Sequence, residues 1–119
     1  MAESIVIIIN RGPYGTEEAF AGMREALALM VSGLVDRAVT LLVGEGTLNA
    51  VMSQKPEAIS MPSNLAALSD LLDMDGEVFM VLEDLERIAP GTEVLEGVQP
   101  VNWSQAREII SSCQLVTTF

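Results

Sequence analysis

Apolar positions along the chain fall into two alternating kinds of run. Ile5-Val6-Ile7-Ile8-Ile9 is an unbroken β-branched stretch, the pattern of a central strand covered on both faces. The polar loop Asn10-Arg11-Gly12-Pro13-Tyr14-Gly15 follows. Thr16 is then placed to cap a helix with Glu17 and Glu18 in its first turn, where the helix dipole favours acids. Phe20, Met23, Leu27 and Met30 recur on one helical face, and Gly33 ends that run. Residues 38–43 read as a second apolar strand closed by Gly44-Glu45-Gly46.

The second half repeats the alternation. A short helix is expected over 47–52, and the chain must leave it at Ser53-Gln54-Lys55-Pro56, since proline lacks a donor and restricts Lys55. The stretch to Pro62 reads as loop. Ser63 can then cap a helix with Leu65, Leu68 and Leu72 facing inward, which ends near Asp75-Gly76. Residues 78–82 form a third strand, followed by an acidic turn, Glu83-Asp84-Leu85-Glu86, and a break at Pro90-Gly91. A short strand over 98–101 leads to Asn102, which with Gln105 resembles a capping box. Trp103, Ala106, Ile110 and Cys113 share a face of the last helix, and residues 115–119 close the chain as a strand.

This order predicts a single-domain α/β protein over 1–119, a three-layer α/β/α sandwich with a mainly parallel sheet of about five strands. Parallel strands need crossovers, and the crossovers cover the sheet faces. Ligands in open α/β sheets favour the carboxyl ends of strands at a switch in strand order, which singles out loops 10–16, 44–47 and 83–90.

Composition narrows the function classes. Half of the residues are hydrophobic, so the chain can fill a core. Seventeen acidic residues face six basic ones, a formal charge of −11, which argues against direct contact with nucleic acid or an anionic membrane surface. The absence of histidine excludes conventional catalytic triads and leaves acid–base work to carboxylates, Lys55 or the thiol. Cys113 is the single cysteine, so a chain has no internal disulfide and no thiolate zinc site, as expected of a reducing, cytoplasmic setting. Met1-Ala2-Glu3-Ser4 holds no basic residue, and the apolar run behind it is too short for a signal h-region or a membrane span. With 23 of 119 residues charged, some apolar surface is expected to stay exposed and to serve association, either with itself or with a dedicated partner.

Candidate chemistry is sparse. Loop 10–16 offers glycines, a helix start and the charge of Arg11 to an anion. It has no GxGxxG pattern and no Walker lysine, and Glu17 and Glu18 would repel phosphate, so a structural turn is the simpler reading. Cys113 lies on an apolar face near a helix end, where the dipole disfavours thiolate, and reads as a buried, inert thiol. Glu83, Asp84 and Glu86 with Glu45 could gather a divalent cation, but without ordered ligand spacing they read as a solvated acidic turn. Met23, Met30, Met52, Met61, Met74 and Met80 read as core or interface filling. No metal and no cofactor are expected.

Arg11-Gly12-Pro13-Tyr14-Gly15-Thr16, then Gly44-Glu45-Gly46, then Gln54-Lys55-Pro56-Glu57-Ala58, then Val116-Thr117-Thr118-Phe119 give the chain a resemblance to the DsrF/TusC family of the DsrE/DsrF/DsrH-like superfamily. The Pro-Tyr-Gly-Thr turn and the Gln-Lys-Pro loop are its most specific pieces. The resemblance runs from Ile5 to Phe119 and implies a DsrEFH-like α/β/α fold. It also implies a place in a sulfur-relay complex, a hetero-hexamer with DsrE/TusD-like and DsrH/TusB-like small subunits, which hands persulfide sulfur toward tRNA thiolation or sulfur oxidation. In such complexes the transferring cysteine belongs to the DsrE/TusD-like subunit, near its third strand and the turn after it. Residues 78–90 of this chain contain no cysteine, which agrees with a DsrF/TusC-like subunit that is not itself catalytic. Carried over on the motif, Arg11, Tyr14, Gly15, Thr16 and Lys55 become ligand- or interface-loop candidates. The alternative is a stand-alone homo-oligomer, either using Cys113 as a persulfide carrier or binding a small ligand through loops 10–16 and 44–47.

Overall fold

A computed structural model describes residues 4–12, 18–52 and 64–119. Among the described residues five strands and four α-helices alternate: β1 (Ser4–Ile9), α1 (Glu18–Ser32), β2 (Arg37–Leu42), α2 (Asn64–Asp73), β3 (Glu77–Val81), α3 (Leu82–Ile88), β4 (Gln99–Val101), α4 (Trp103–Ser112) and β5 (Leu115–Thr118). A 3-10 helix, Gly44–Ala50, follows β2. The strands form one sheet in the order β4-β3-β2-β1-β5, and every pairing is parallel.

The strand order explains the layers. From β1 to β4 the chain steps in one direction, then reverses and places β5 on the free side of β1. With crossovers of one hand, a reversal of direction moves the connecting helix to the opposite face. Ile5, Ile7 and Ile9 accordingly pack with Met23 and Ala26 of α1 and Leu68 and Leu71 of α2. Val6, Val39 and Leu41 point to the other face, where Ala106, Ile109 and Ile110 of α4 cover them. β1 is thus covered on both sides, as its unbroken apolar run requires.

Local signals account for most element ends. Gly33 adopts φ +71 just past α1, a conformation that favours glycine. Asn102 caps α4 in a full capping box: its side chain accepts the Gln105 N–H at 2.8 Å, and its own N–H donates to Gln105 Oε1 at 2.9 Å. Two expectations need correction. The short helix begins earlier than residue 47, as the 3-10 turn Gly44–Ala50. The acidic stretch after β3 is no solvated turn but the first half of α3, because Leu85 packs into the core and Asp84 is buried. Leu71, absent from the expected inward face of α2, is 1% exposed, while Leu65 and Leu72 are half-buried. The caps expected from Thr16 and Ser63 lie outside the described residues. Among those residues no helix is long and apolar enough to cross a membrane.

Candidate functional site

The reversal of strand order lies between β1 and β5, so the carboxyl edge of the sheet beside them is where an open α/β sheet would receive a ligand. The two strands stay joined to the last residue. Phe119 N–H donates to the Ile8 carbonyl at 2.8 Å, and Asn10 N–H donates to the Phe119 carbonyl at 3.0 Å. Arg11 follows with an exposed side chain, and its carbonyl accepts from Asn49 Nδ2 at 2.9 Å.

Asn49 is fully buried and organises this corner. Its amide also donates to the Gly46 carbonyl at 2.9 Å, and its oxygen accepts from Asn64 Nδ2 at 2.7 Å. Three elements, the end of β1, the 3-10 helix and the start of α2, are therefore held by one satisfied amide network. Gly46 lets them approach: a Cβ there would lie 1.9 Å from the Ile9 carbonyl oxygen.

A second network binds the neighbouring strand ends. Asp84, 3% exposed, accepts the Gly44 N–H at 2.8 Å on Oδ2 and the Trp103 indole N–H at 3.0 Å on Oδ1. The Arg87 guanidinium lies 3.6 Å from the same Oδ1. Glu83 accepts the Trp103 backbone N–H at 2.6 Å. Both carboxylates thus sit at helix starts, where unpaired N–H groups and the dipole favour negative charge. These bonds commit Glu83 and Asp84 to joining β3, the 3-10 helix and α4. Among the described residues, no group of three His, Cys, Asp or Glu is placed to hold a metal ion. Beside them a groove of about 260 Å³ opens at the β4 edge, lined by Leu82, Glu83, Glu86, Pro100, Val101 and Gln105.

Cys113 lies at the other end of the sheet. It follows α4 and precedes β5, whose first residue pairs with Ile5 near the start of β1, so roughly 17 Å of strand separates it from the carboxyl edge. Its side chain is 9% exposed and packs with Val6, Val39 and Ala106. The Ser112 hydroxyl is 4.0 Å from its sulfur. The Arg37–Glu77 pair belongs to the same end, with Arg37 Nε 2.6 Å from Glu77 Oε2.

Of the motif-derived candidates, Arg11 is at the carboxyl edge, and Tyr14, Gly15, Thr16 and Lys55 lie outside the described residues. Sequence reasoning passed over Asn49 and Asn64, which show no local pattern, and took Asp84 for solvent-facing. The one sequence signal for Asp84 is Leu85, an apolar residue amid acids that draws its helix against the core.

Comparison with known proteins agrees with this architecture. The model of the DsrE/DsrF-like family matches residues 3–119. The fold is similar to the crystal structure of the ychN protein from E. coli, with a TM-score of 0.84 and 22% sequence identity over 98% of this chain and 99% of that one. At that identity the likeness concerns the fold alone. No curated protein matches the sequence.

Proposed function

Because the chain belongs to the DsrE/DsrF-like family, we propose that it is a DsrF/TusC-like subunit of a sulfur-relay assembly, structural rather than catalytic, with the persulfide-carrying cysteine supplied by a homologous partner. The assembly would serve tRNA thiolation or sulfur oxidation. The observation that carries this reading is the placement of the single thiol. Cys113 is buried at the amino end of the sheet, while the end of β3 presents Leu82, Glu83 and Asp84. A persulfide carrier needs an accessible sulfur in an electropositive setting, and the end of β3 offers carboxylates and no thiol. The formal charge of −11 leaves any tRNA contact to other subunits.

The test is the subunit composition of the tagged protein purified from its own cells, followed by persulfide transfer through the assembly. Two small homologous chains should co-purify, one with a cysteine at the end of its third strand, and Cys113→Ser should leave transfer unchanged. Loss of transfer in Cys113→Ser, or recovery of this chain with itself alone, would overturn the reading in favour of a stand-alone carrier or ligand-binding protein.

A further inference from the structure

The two edges of the sheet are built differently. β4, the edge beyond β3, is three residues long and carries exposed Gln99 and Pro100, the latter without an N–H to donate. Short length and proline suit an edge that stays unpaired. β5, the edge beyond β1, has neither proline nor charge from Gln114 to Phe119. Its residues Leu115 and Val116 are 48% and 51% exposed. Successive side chains of a strand point to opposite faces, so each face of β5 leaves an apolar residue uncovered. Consecutive apolar residues are the pattern of a strand buried on both sides, as β1 is, yet here they stand at the rim of the sheet.

The main chain points the same way. Phe119 gives its N–H to Ile8 and accepts from Asn10, so its peptide groups face β1. Peptide groups alternate along a strand with a period of two, and Leu115 and Thr117, in register with Ile5 and Ile7, face β1 as well. The N–H and carbonyl groups of Val116 and Thr118 therefore point away from the sheet, at two exposed residues, and among the described residues no strand lies beyond them. Outward main-chain donors and acceptors flanked by uncovered apolar side chains call for one kind of occupant, another strand. Charge decides whose strand it is. Two copies at −11 each repel, and a four-residue edge offers little to offset that. A cationic segment is drawn in by the same field and finds no charge on β5 that would have to be stripped of water.

We propose that the β5 edge docks an extended segment of a different protein, which joins the sheet as an additional strand, sets apolar or β-branched residues beside Leu115 and Val116, and carries lysine or arginine on either side of them. This does not rest on the relay reading, since the edge belongs to the isolated chain.

Amide hydrogen exchange of the purified chain tests it, with a synthetic peptide of alternating valine and threonine flanked by lysines as the probe. Without peptide, the Val116 and Thr118 amides should exchange fast and those of Leu115 and Thr117 slowly. Millimolar peptide should slow Val116 and Thr118 by about tenfold or more, and the same peptide flanked by glutamates should bind about tenfold more weakly. Val116→Pro removes an outward N–H and no bond to β1, so binding should be lost while Leu115 and Thr117 stay protected. Val116→Lys, which keeps the main chain intact, should weaken binding of the lysine-flanked peptide through like-charge contact. Unchanged exchange at millimolar peptide, binding indifferent to both variants, or equal binding of the two peptides would each overturn the proposal. So would protection of Val116 and Thr118 that rises with protein concentration alone, which would make a second copy the occupant.

Discussion

The carboxylate of Asp84 and the backbone N–H of Gly44 meet at 2.8 Å across forty positions of chain, and this bond ties the end of β3 to the start of the 3-10 helix after β2. The other oxygen of the same group holds the Trp103 indole at 3.0 Å, so three consecutive strand ends depend on one buried side chain. Replacing Asp84 by Asn leaves a single acceptor oxygen and turns an NH2 toward a donor, so either Gly44 or Trp103 loses its partner. We expect Asp84→Asn to cost about 1–3 kcal/mol, the range for a buried polar group left unsatisfied. Trp103→Phe, which removes one donor and keeps an aromatic ring, should cost less. Urea unfolding of the three proteins checks this, and equal midpoints would show that the network contributes nothing.

Gly46 and Gly44 stand two residues apart and are needed for different reasons. At Gly46 a methyl group would meet the main chain of β1, 1.9 Å from the Ile9 oxygen and 2.7 Å from its carbonyl carbon, neither of which can move without breaking the sheet. At Gly44 there is open space, but φ is +52. Gly44→Ala should therefore cost about 1–2 kcal/mol of backbone strain. Gly46→Ala should exceed about 4 kcal/mol, a large share of a typical domain's stability. Thermal melts of the two variants should separate widely. A Gly46→Ala protein as stable as Gly44→Ala would contradict the close approach of the 3-10 helix to β1.

This pair also shows where the sequence stops being informative. The turn Gly44-Glu45-Gly46 is visible as glycines, but which glycine tolerates a side chain depends on the distance to Ile9, thirty-seven positions away. Periodicity and caps are local, so β1, α1 and the Asn102–Gln105 box can be read directly, and the alternation of strands and helices implies a parallel sheet. Strand order is set by pairings such as Ile5 with Leu115, which leave no local trace. Asp84 looks solvated because its neighbours in sequence are acids, whereas its burial comes from Trp103 and Gly44. Asn49 and Asn64 are polar residues in unpatterned stretches, and only their meeting at 2.7 Å makes them a unit.

Acid should weaken the amino end of the sheet. Arg37 and Glu77 begin β2 and β3 and are joined by two hydrogen bonds, 2.6 Å from Nε and 2.9 Å from Nη2. The bond from Arg37 holds the Glu77 carboxyl below the ordinary glutamate value of 4.5, against the opposing effect of partial burial. A carboxyl depressed in the folded state contributes stability that is complete above its unfolded-state value and is lost as pH falls through the folded value. The side chains are 39% and 38% exposed, so solvent screening limits the pair to about 1 kcal/mol or less. Glu77→Gln should be slightly less stable than wild type at neutral pH, and the difference should shrink as pH drops below about 4.5. Chemical unfolding as a function of pH measures both curves, and parallel curves would show that the pair carries no pH dependence.

The sulfur of Cys113 gives a direct probe of the same end of the molecule. It is 9% exposed and packed with Val6, Val39, Ala106 and the side of Ile110, on the sheet face that α4 covers. With so little of it exposed, the sulfur should react with a thiol reagent more slowly in the native protein than in denaturant, where no opening is needed. Ile110→Ala removes part of the contact that holds the helix down and should cost about 1–3 kcal/mol. The variant should label faster, and the Arg37–Glu77 pH dependence, which does not involve Ile110, should be kept. Labelling of the native wild type at the rate of the unfolded chain would show an accessible thiol. It would also remove the observation on which the structural-subunit reading depends, since Cys113 could then receive sulfur without any partner's cysteine.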